Sequence, residues 1–144
     1  MGTLFLTGKP QTYKPPRFVR GQVYAPHNRE KKAAQAVLKE QAEAQLPGAL
    51  PLRRAVAVHV TFNFKRAKSH WSKNDPATGR LKSSAPKHVV KKPDVDNCLK
   101  FVQDALEPAV IENDKLVVSA TVTKLWCSCA SEERTDIELL IHHD

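Results

Sequence analysis

Between residues 54 and 64 the chain alternates without a break. Val56, Val58, Val60, Phe62 and Phe64 take every second position, with Ala57, His59, Thr61 and Asn63 between them. A period of two sends these sets to opposite faces of one strand, so the fold must supply a layer that covers the valine and phenylalanine face. Two helical patterns can supply it. Residues 28–45 are dense in Ala, Glu, Gln and Lys, with Ala33, Ala36, Val37 and Leu38 as an apolar stripe, Asn28 as a cap, and Pro47-Gly48 as a stop. Residues 96–110 carry Leu99, Val102, Ala105, Leu106 and Ala109 at offsets of three and four. Further strands are expected at 3–7, 116–126 and 134–142, giving the order β, α, β, long loop, α, β, β. The expectation is an α/β (α+β) fold, a small mixed β-sheet with two main helices packed on it, as a single domain over residues 1–144.

Several classes are disfavoured at once. No apolar run approaches the roughly 18 residues of a membrane span, and the opening MGTLFLTGKP lacks the basic and apolar regions of a secretory signal. Three cysteines, with Cys127 and Cys129 only two apart, make neither a Cys-x-x-Cys pair nor a zinc set, so a reducing compartment is expected. His59 reads as a sheet residue and not a ligand, because no second histidine lies near it at a metal-binding spacing.

The net charge is +8, and its distribution matters more than its size. Residues 65–92 hold nine Lys or Arg against one Asp, whereas residues 93–144 hold four Lys or Arg against eleven Asp or Glu. A solvated surface intersperses the signs. A polyanion held beside a cation site would instead want them separated. Lys65, Arg66, Lys68, Lys73, Arg80, Lys82, Lys87, Lys91 and Lys92 are therefore candidate DNA-binding residues, and each phosphate they neutralise would add about −0.9 to the slope of log affinity against log salt. Residues 65–92 show no sustained period and are expected to form a long basic loop, in which Trp71 either stacks on a base or anchors the loop to the core. Upstream, KPQTYKPPRFVR reads as an extended loop from which Arg17, Arg20 and Tyr24 can reach a ligand.

The chemistry is concentrated in KKPDVDNCLKFVQDALEPAVIENDKLV. Pro93 keeps the preceding residue extended, so Asp94 and Asp96 stand where an extended chain becomes a helix and their carboxylates can converge. Lys100 follows Asp96 by four residues on the same helical face. Asp114 opens the next strand, close to where the helix returns to the sheet. Three carboxylates from two elements can share a hard divalent cation such as Mg²⁺, which takes oxygen ligands. Lys100 would then neutralise charge on a phosphoryl group undergoing attack. The plainer alternative is that Asp94 and Asp96 only cap a helix and favour its positive end.

The ordered set Asp94-Val95-Asp96-Asn97-Cys98-Leu99-Lys100, Gln103-Asp104-Ala105-Leu106 and Asn113-Asp114-Lys115-Leu116-Val117 resembles the core signature of the RusA-type Holliday-junction resolvases, most closely over residues 88–126. The resemblance implies a small homodimeric endonuclease, dependent on Mg²⁺ with Mn²⁺ as a substitute, that binds branched DNA and places one nick in each of two strands of a four-way junction. Matched residue by residue, it makes Asp94, Asp96 and Asp114 the metal-binding aspartates and Lys100 the catalytic lysine. Asn97 and Asp104 are secondary candidates, Asn97 to hold a carboxylate or a loop and Asp104 to pair with Lys100. No membrane partner is expected, and the setting would be the cytoplasm or nucleoid of a bacterial or phage system. Two rivals stand beside this reading. One is a basic nucleic-acid-binding module without catalysis; the other is a metal-dependent nuclease of broader branched-substrate specificity.

Overall fold

The computed structural model describes residues 2–24, 28–127 and 133–143. Along the chain come β1 (Gly2–Thr7), a hairpin of β2 (Arg17–Val19) and β3 (Gln22–Tyr24), α1 (Asn28–Gln45), β4 (Val56–Phe64), α2 (Val95–Leu106), β5 (Val117–Trp126) and β6 (Arg134–Ile141). The main sheet has the order β1-β6-β4-β5. It is mixed, with β4 parallel to β5 and antiparallel to β6, and β1 antiparallel to β6. The α+β expectation holds.

The alternation of β4 does what its period demands. Val56, Val58, Val60, Phe62 and Phe64 are buried, and they share one core with Leu4 of β1, Ile137 and Leu139 of β6, Leu38 of α1, and Phe101, Val102 and Leu106 of α2. His59 on the other face is exposed and stands opposite Glu138 of β6, an ordinary sheet residue. The helices lie side by side, α1 over β1 and α2 over β5. Glutamines from α1 close the outer edge of β1: Gln41 accepts from the Phe5 amide and donates to its carbonyl, and Gln45 does the same for Thr3. An edge strand that would invite pairing is thereby satisfied.

α2 is shorter than its periodicity suggests, ending at Leu106 where residues up to 110 were expected. Pro108 lacks an amide and disfavours the helical conformation at Glu107, so the pattern continues while the helix does not. Gln35 of α1 donates to the free carbonyls of Asp104 and Glu107 at that end. Two other expectations change. The proline-rich N-terminal stretch is not wholly a loop, because it contains the β2–β3 hairpin closed by Arg20 and Gly21, both at positive φ. The 65–92 segment is likewise an organised loop, with 3-10 turns at Lys68–His70 and Ser72–Asn74 and with Trp71 buried. Gly79 makes that turn possible, since a Cβ there would sit 2.1 Å from the Ser72 carbonyl oxygen.

Candidate active site

α2 begins at Asp94, which takes the N-cap position with extended φ and ψ, yet its carboxylate makes no capping hydrogen bond. That observation decides against the capping alternative for Asp94, since the side chain is exposed and uncommitted. Asp96, in the first turn, is also exposed, and one of its oxygens accepts from the Asn97 amide at 2.9 Å. Two solvent-facing carboxylates thus stand at the positive end of a helix, whose partial charge favours them. Just below, the Cys98 thiol is buried and pushed up to about 11, chiefly by burial, with Lys124 opposing and Asp94 and Asp96 adding to the rise. Cys98 therefore stays protonated, packing as a small apolar side chain and not acting as a nucleophile or ligand.

Lys100 stands one turn on and is exposed. Its ammonium lies 3.8 Å from Asp104 Oδ1, the pairing that the four-residue spacing suggests, and 4.9 Å from the centre of the Tyr13 ring. The Tyr13 amide donates to the Asn97 carbonyl at 3.0 Å, so the N-terminal segment is fastened to the first turn of α2 through the main chain of Asn97 and not its side-chain amide. From β5, Lys124 Nζ donates to the carbonyls of Lys91 and Pro93 at 2.8 and 2.7 Å. Those bonds fix the turn that delivers Asp94. Tyr13 and Lys124 were not among the residues singled out from sequence, because both act through contacts between distant segments.

Asp114 is elsewhere. It is exposed, in a 3-10 turn whose N-cap, Asn113, accepts from the Lys115 amide, just ahead of β5 and not within it. Residues 107–116 join α2 to β5, and the two elements run antiparallel. Val117 pairs with Val56 at one end, while Lys124 reaches Pro93 at the other. The strand from Val117 to Lys124 covers roughly 23 Å, so Asp114 stands at the far end from Asp94 and Asp96. Among the described residues no three His, Cys, Asp or Glu side chains are grouped closely enough to hold a metal ion. The expected convergence of three carboxylates does not occur within one chain.

The basic side chains divide into two groups. Lys65, Arg66, Lys91 and Lys92 line a cleft of about 440 Å³ with Lys9, Pro93 and Trp126, beside Asp94. Lys91 Nζ lies 5.3 Å from the Trp126 ring, which His70 meets edge-on at 4.9 Å. His70 is held below its ordinary value by partial burial and by the positive field of Arg66, Lys91 and Lys82. Arg66 is a brace as much as a binding group, donating to the carbonyls of Cys127 and Pro86 at 2.7 Å each. Lys68, Lys73, Arg80, Lys82 and Lys87 are exposed along the loop. Trp71 is buried and so is not presented to a base, and it bridges to Leu81 across the loop, outside the main core cluster. Cys129 lies outside the described residues.

The family model for endodeoxyribonuclease RusA matches residues 7–139 of the 144. The chain belongs to the RusA endodeoxyribonuclease family. A search of curated proteins finds no match. The RusA match runs from the last residue of β1 into β6, so it takes in both ends of the α2–β5 unit, the basic cleft and the N-terminal hairpin. As a member of a nuclease family, the protein is an enzyme of the hydrolase class acting on DNA. No helix among the described residues is long and apolar enough to cross a membrane.

Proposed function

We propose that this RusA-family protein is a structure-selective endonuclease that resolves four-way DNA junctions by metal-dependent phosphodiester hydrolysis, a homodimer making paired nicks. The observation that carries the reading is the exposed pair Asp94 and Asp96, the first making no capping bond, held at a helix start one turn before Lys100 and directly after the Lys91–Pro93 segment that lines a basic cleft. Hard oxygen donors on an exposed helix end suit Mg²⁺, or Mn²⁺ in its place, which is commonly held by one or two carboxylates together with substrate phosphate. Bound there, the ion would polarise the scissile phosphodiester and lower the pKa of the attacking water.

The chain's own residues do the rest. Lys65, Lys91 and Lys92 guide a DNA strand along the cleft toward Asp94. Lys100, steadied by the Tyr13 ring and Asp104, offers its ammonium to the non-bridging oxygens as charge builds on them. Asp114 contributes from a second copy. It lies too far from Asp94 and Asp96 in its own chain, and it sits beside the half of β5 where Val118 is exposed, an open edge against which another copy can pack. Two equivalent composite sites related by a two-fold axis suit a junction of near two-fold symmetry.

The test is nicking of an end-labelled four-way junction with Mg²⁺ or with EDTA, by the intact protein and by Asp96→Asn. Paired symmetric nicks should require both metal and Asp96, the variant losing roughly 10³-fold or more in rate while still binding. Binding without nicks by the intact, folded protein would point to a binding module instead. Equal cleavage of forks and linear duplex would point to the broader nuclease.

A further inference from the structure

The β2–β3 hairpin is the most exposed ordered element of the fold. Phe18 is 80% and Val23 64% exposed, and they stand directly opposite each other across the two strands, so one face of the ribbon is an apolar pair in water. Val19, on the other face, is 52% exposed. A two-stranded ribbon is marginal by itself, and this one buries little of what it carries. Yet its geometry is defined: Val19 pairs with Gln22 around a two-residue turn, Arg20 and Gly21, at φ of 50° and 77°. That is the tight turn whose twist matches a hairpin, and it presents Arg20 at the tip.

Two further observations say what covers this face. The hairpin springs from the active site itself. Tyr13 is bonded to Asn97 and packed under Lys100, and the Lys14-Pro15-Pro16 stem that follows is a stiff extended spacer, putting β2 roughly 13 Å of chain from the catalytic helix. The second observation is charge. Lys14, Arg17 and Arg20 flank Phe18, and no Asp or Glu stands anywhere from residue 8 to residue 28. Two copies of such an arm would repel one another, whereas a polyanion with an apolar surface to offer would be drawn to it.

We propose that the hairpin probes the branch point of the DNA: Phe18, backed by Val23, stacks on a base that has left its pair at the junction centre, while Lys14, Arg17 and Arg20 hold the phosphates on either side. This rests on the junction-cleaving function proposed above and adds how the branch is sensed. Aromatic stacking tolerates any base, because every base has a π-face, so the arm reads the presence of an unpaired base and not its identity. It couples sensing to position, since the same segment that carries Phe18 also steadies Lys100.

The experiment places 2-aminopurine at the centre of a synthetic four-way junction and measures fluorescence and affinity with the full chain, Ca²⁺ replacing Mg²⁺. The intact protein should brighten the probe several-fold as it leaves the stack. Phe18→Ala should abolish most of that rise and lower the ratio of junction to duplex affinity roughly 5- to 150-fold, the equivalent of one lost stacked base. Phe18→Trp should restore the affinity ratio. Phe18 is exposed, so the alanine variant should keep the thermal midpoint of the intact protein. Unchanged brightening and affinity ratio in Phe18→Ala, with the intact protein still nicking junctions, would overturn the inference alone. A change of oligomeric state in that variant by sedimentation would overturn it too, assigning the face to a contact between copies. Failure of the intact protein to bind or nick any junction would overturn the inference and the proposed function together.

Discussion

At one end of the α2–β5 unit Asp94, Asp96 and Lys100 follow directly on the Lys91–Pro93 segment that lines a basic cleft, whereas at the other end Asp114 stands exposed in a 3-10 turn beside Lys115. The difference follows from connectivity. α2 and the next strand run antiparallel, Lys124 near the end of β5 reaching back to Pro93 before α2, so residues that begin each element lie at opposite ends. A cluster that looks contiguous in sequence is therefore divided in space, which is why the proposed site draws Asp114 from a second copy. The end that carries Asp94 and Asp96 is held by contacts from distant segments. Lys124 ties down the turn before Asp94, and Tyr13 is fastened to Asn97.

Lys124→Ala should give the largest effect among changes that spare the carboxylates. It frees the Lys91 and Pro93 carbonyls and lets Asp94 drift, and removing such supporting contacts typically costs about 10- to 100-fold. The loss should fall on kcat for junction nicking with KM little changed; a purely structural lysine would lower stability and leave the kcat of the folded fraction intact. Arg66→Ala against Lys92→Ala sharpens the contrast between bracing and binding cations in the cleft. The arginine's bonds to Cys127 and Pro86 make its loss a stability defect of about 2 kcal/mol, visible as a lower Tm. Lys92→Ala should leave Tm alone and reduce the salt slope of DNA binding by about 1.

The smallest effect is a pH dependence. His70 sits below its ordinary value because of burial and the field of Arg66, Lys91 and Lys82. Bound phosphates offset that field and raise the His70 pKa, so protons are taken up on binding and junction affinity should increase modestly, about 2-fold, as pH falls from 7 toward 5. The sign for stability is the reverse. A histidine depressed in the folded state favours the unfolded chain as pH drops below its ordinary value near 6.5. His70→Ala should flatten both trends, and an affinity that falls with pH would show that the cleft does not meet phosphate.

Much of this was legible from the chain alone. The alternation from Val56 to Phe64 announced the central strand, and Pro93 followed by Asp94 and Asp96 marked the start of α2. Periodicity overran its end because side-chain spacing continued past Pro108, where the backbone could not. The hairpin left a signal that the surrounding prolines masked: two short apolar stretches around Arg20-Gly21, a residue pair suited to a tight turn. Tyr13 and Lys124 left none, since their roles come from main-chain carbonyls far away in sequence. Trp71 was ambiguous because composition cannot tell an anchored loop from a free one. Asp114 was expected beside Asp94 and Asp96, although the order of elements already implied the opposite end.

The claim that the two ends meet across a dimer is tested most directly by co-expressing Asp96→Asn with Asp114→Asn and assaying the purified mixture on an end-labelled four-way junction with Mg²⁺. In a mixed dimer one composite site loses both residues and the other keeps all of them. Each variant alone should be inactive and the mixture should regain nicking, with single nicks in place of pairs. A mixture as inactive as either variant, with both folded, dimeric and binding DNA, would contradict the account.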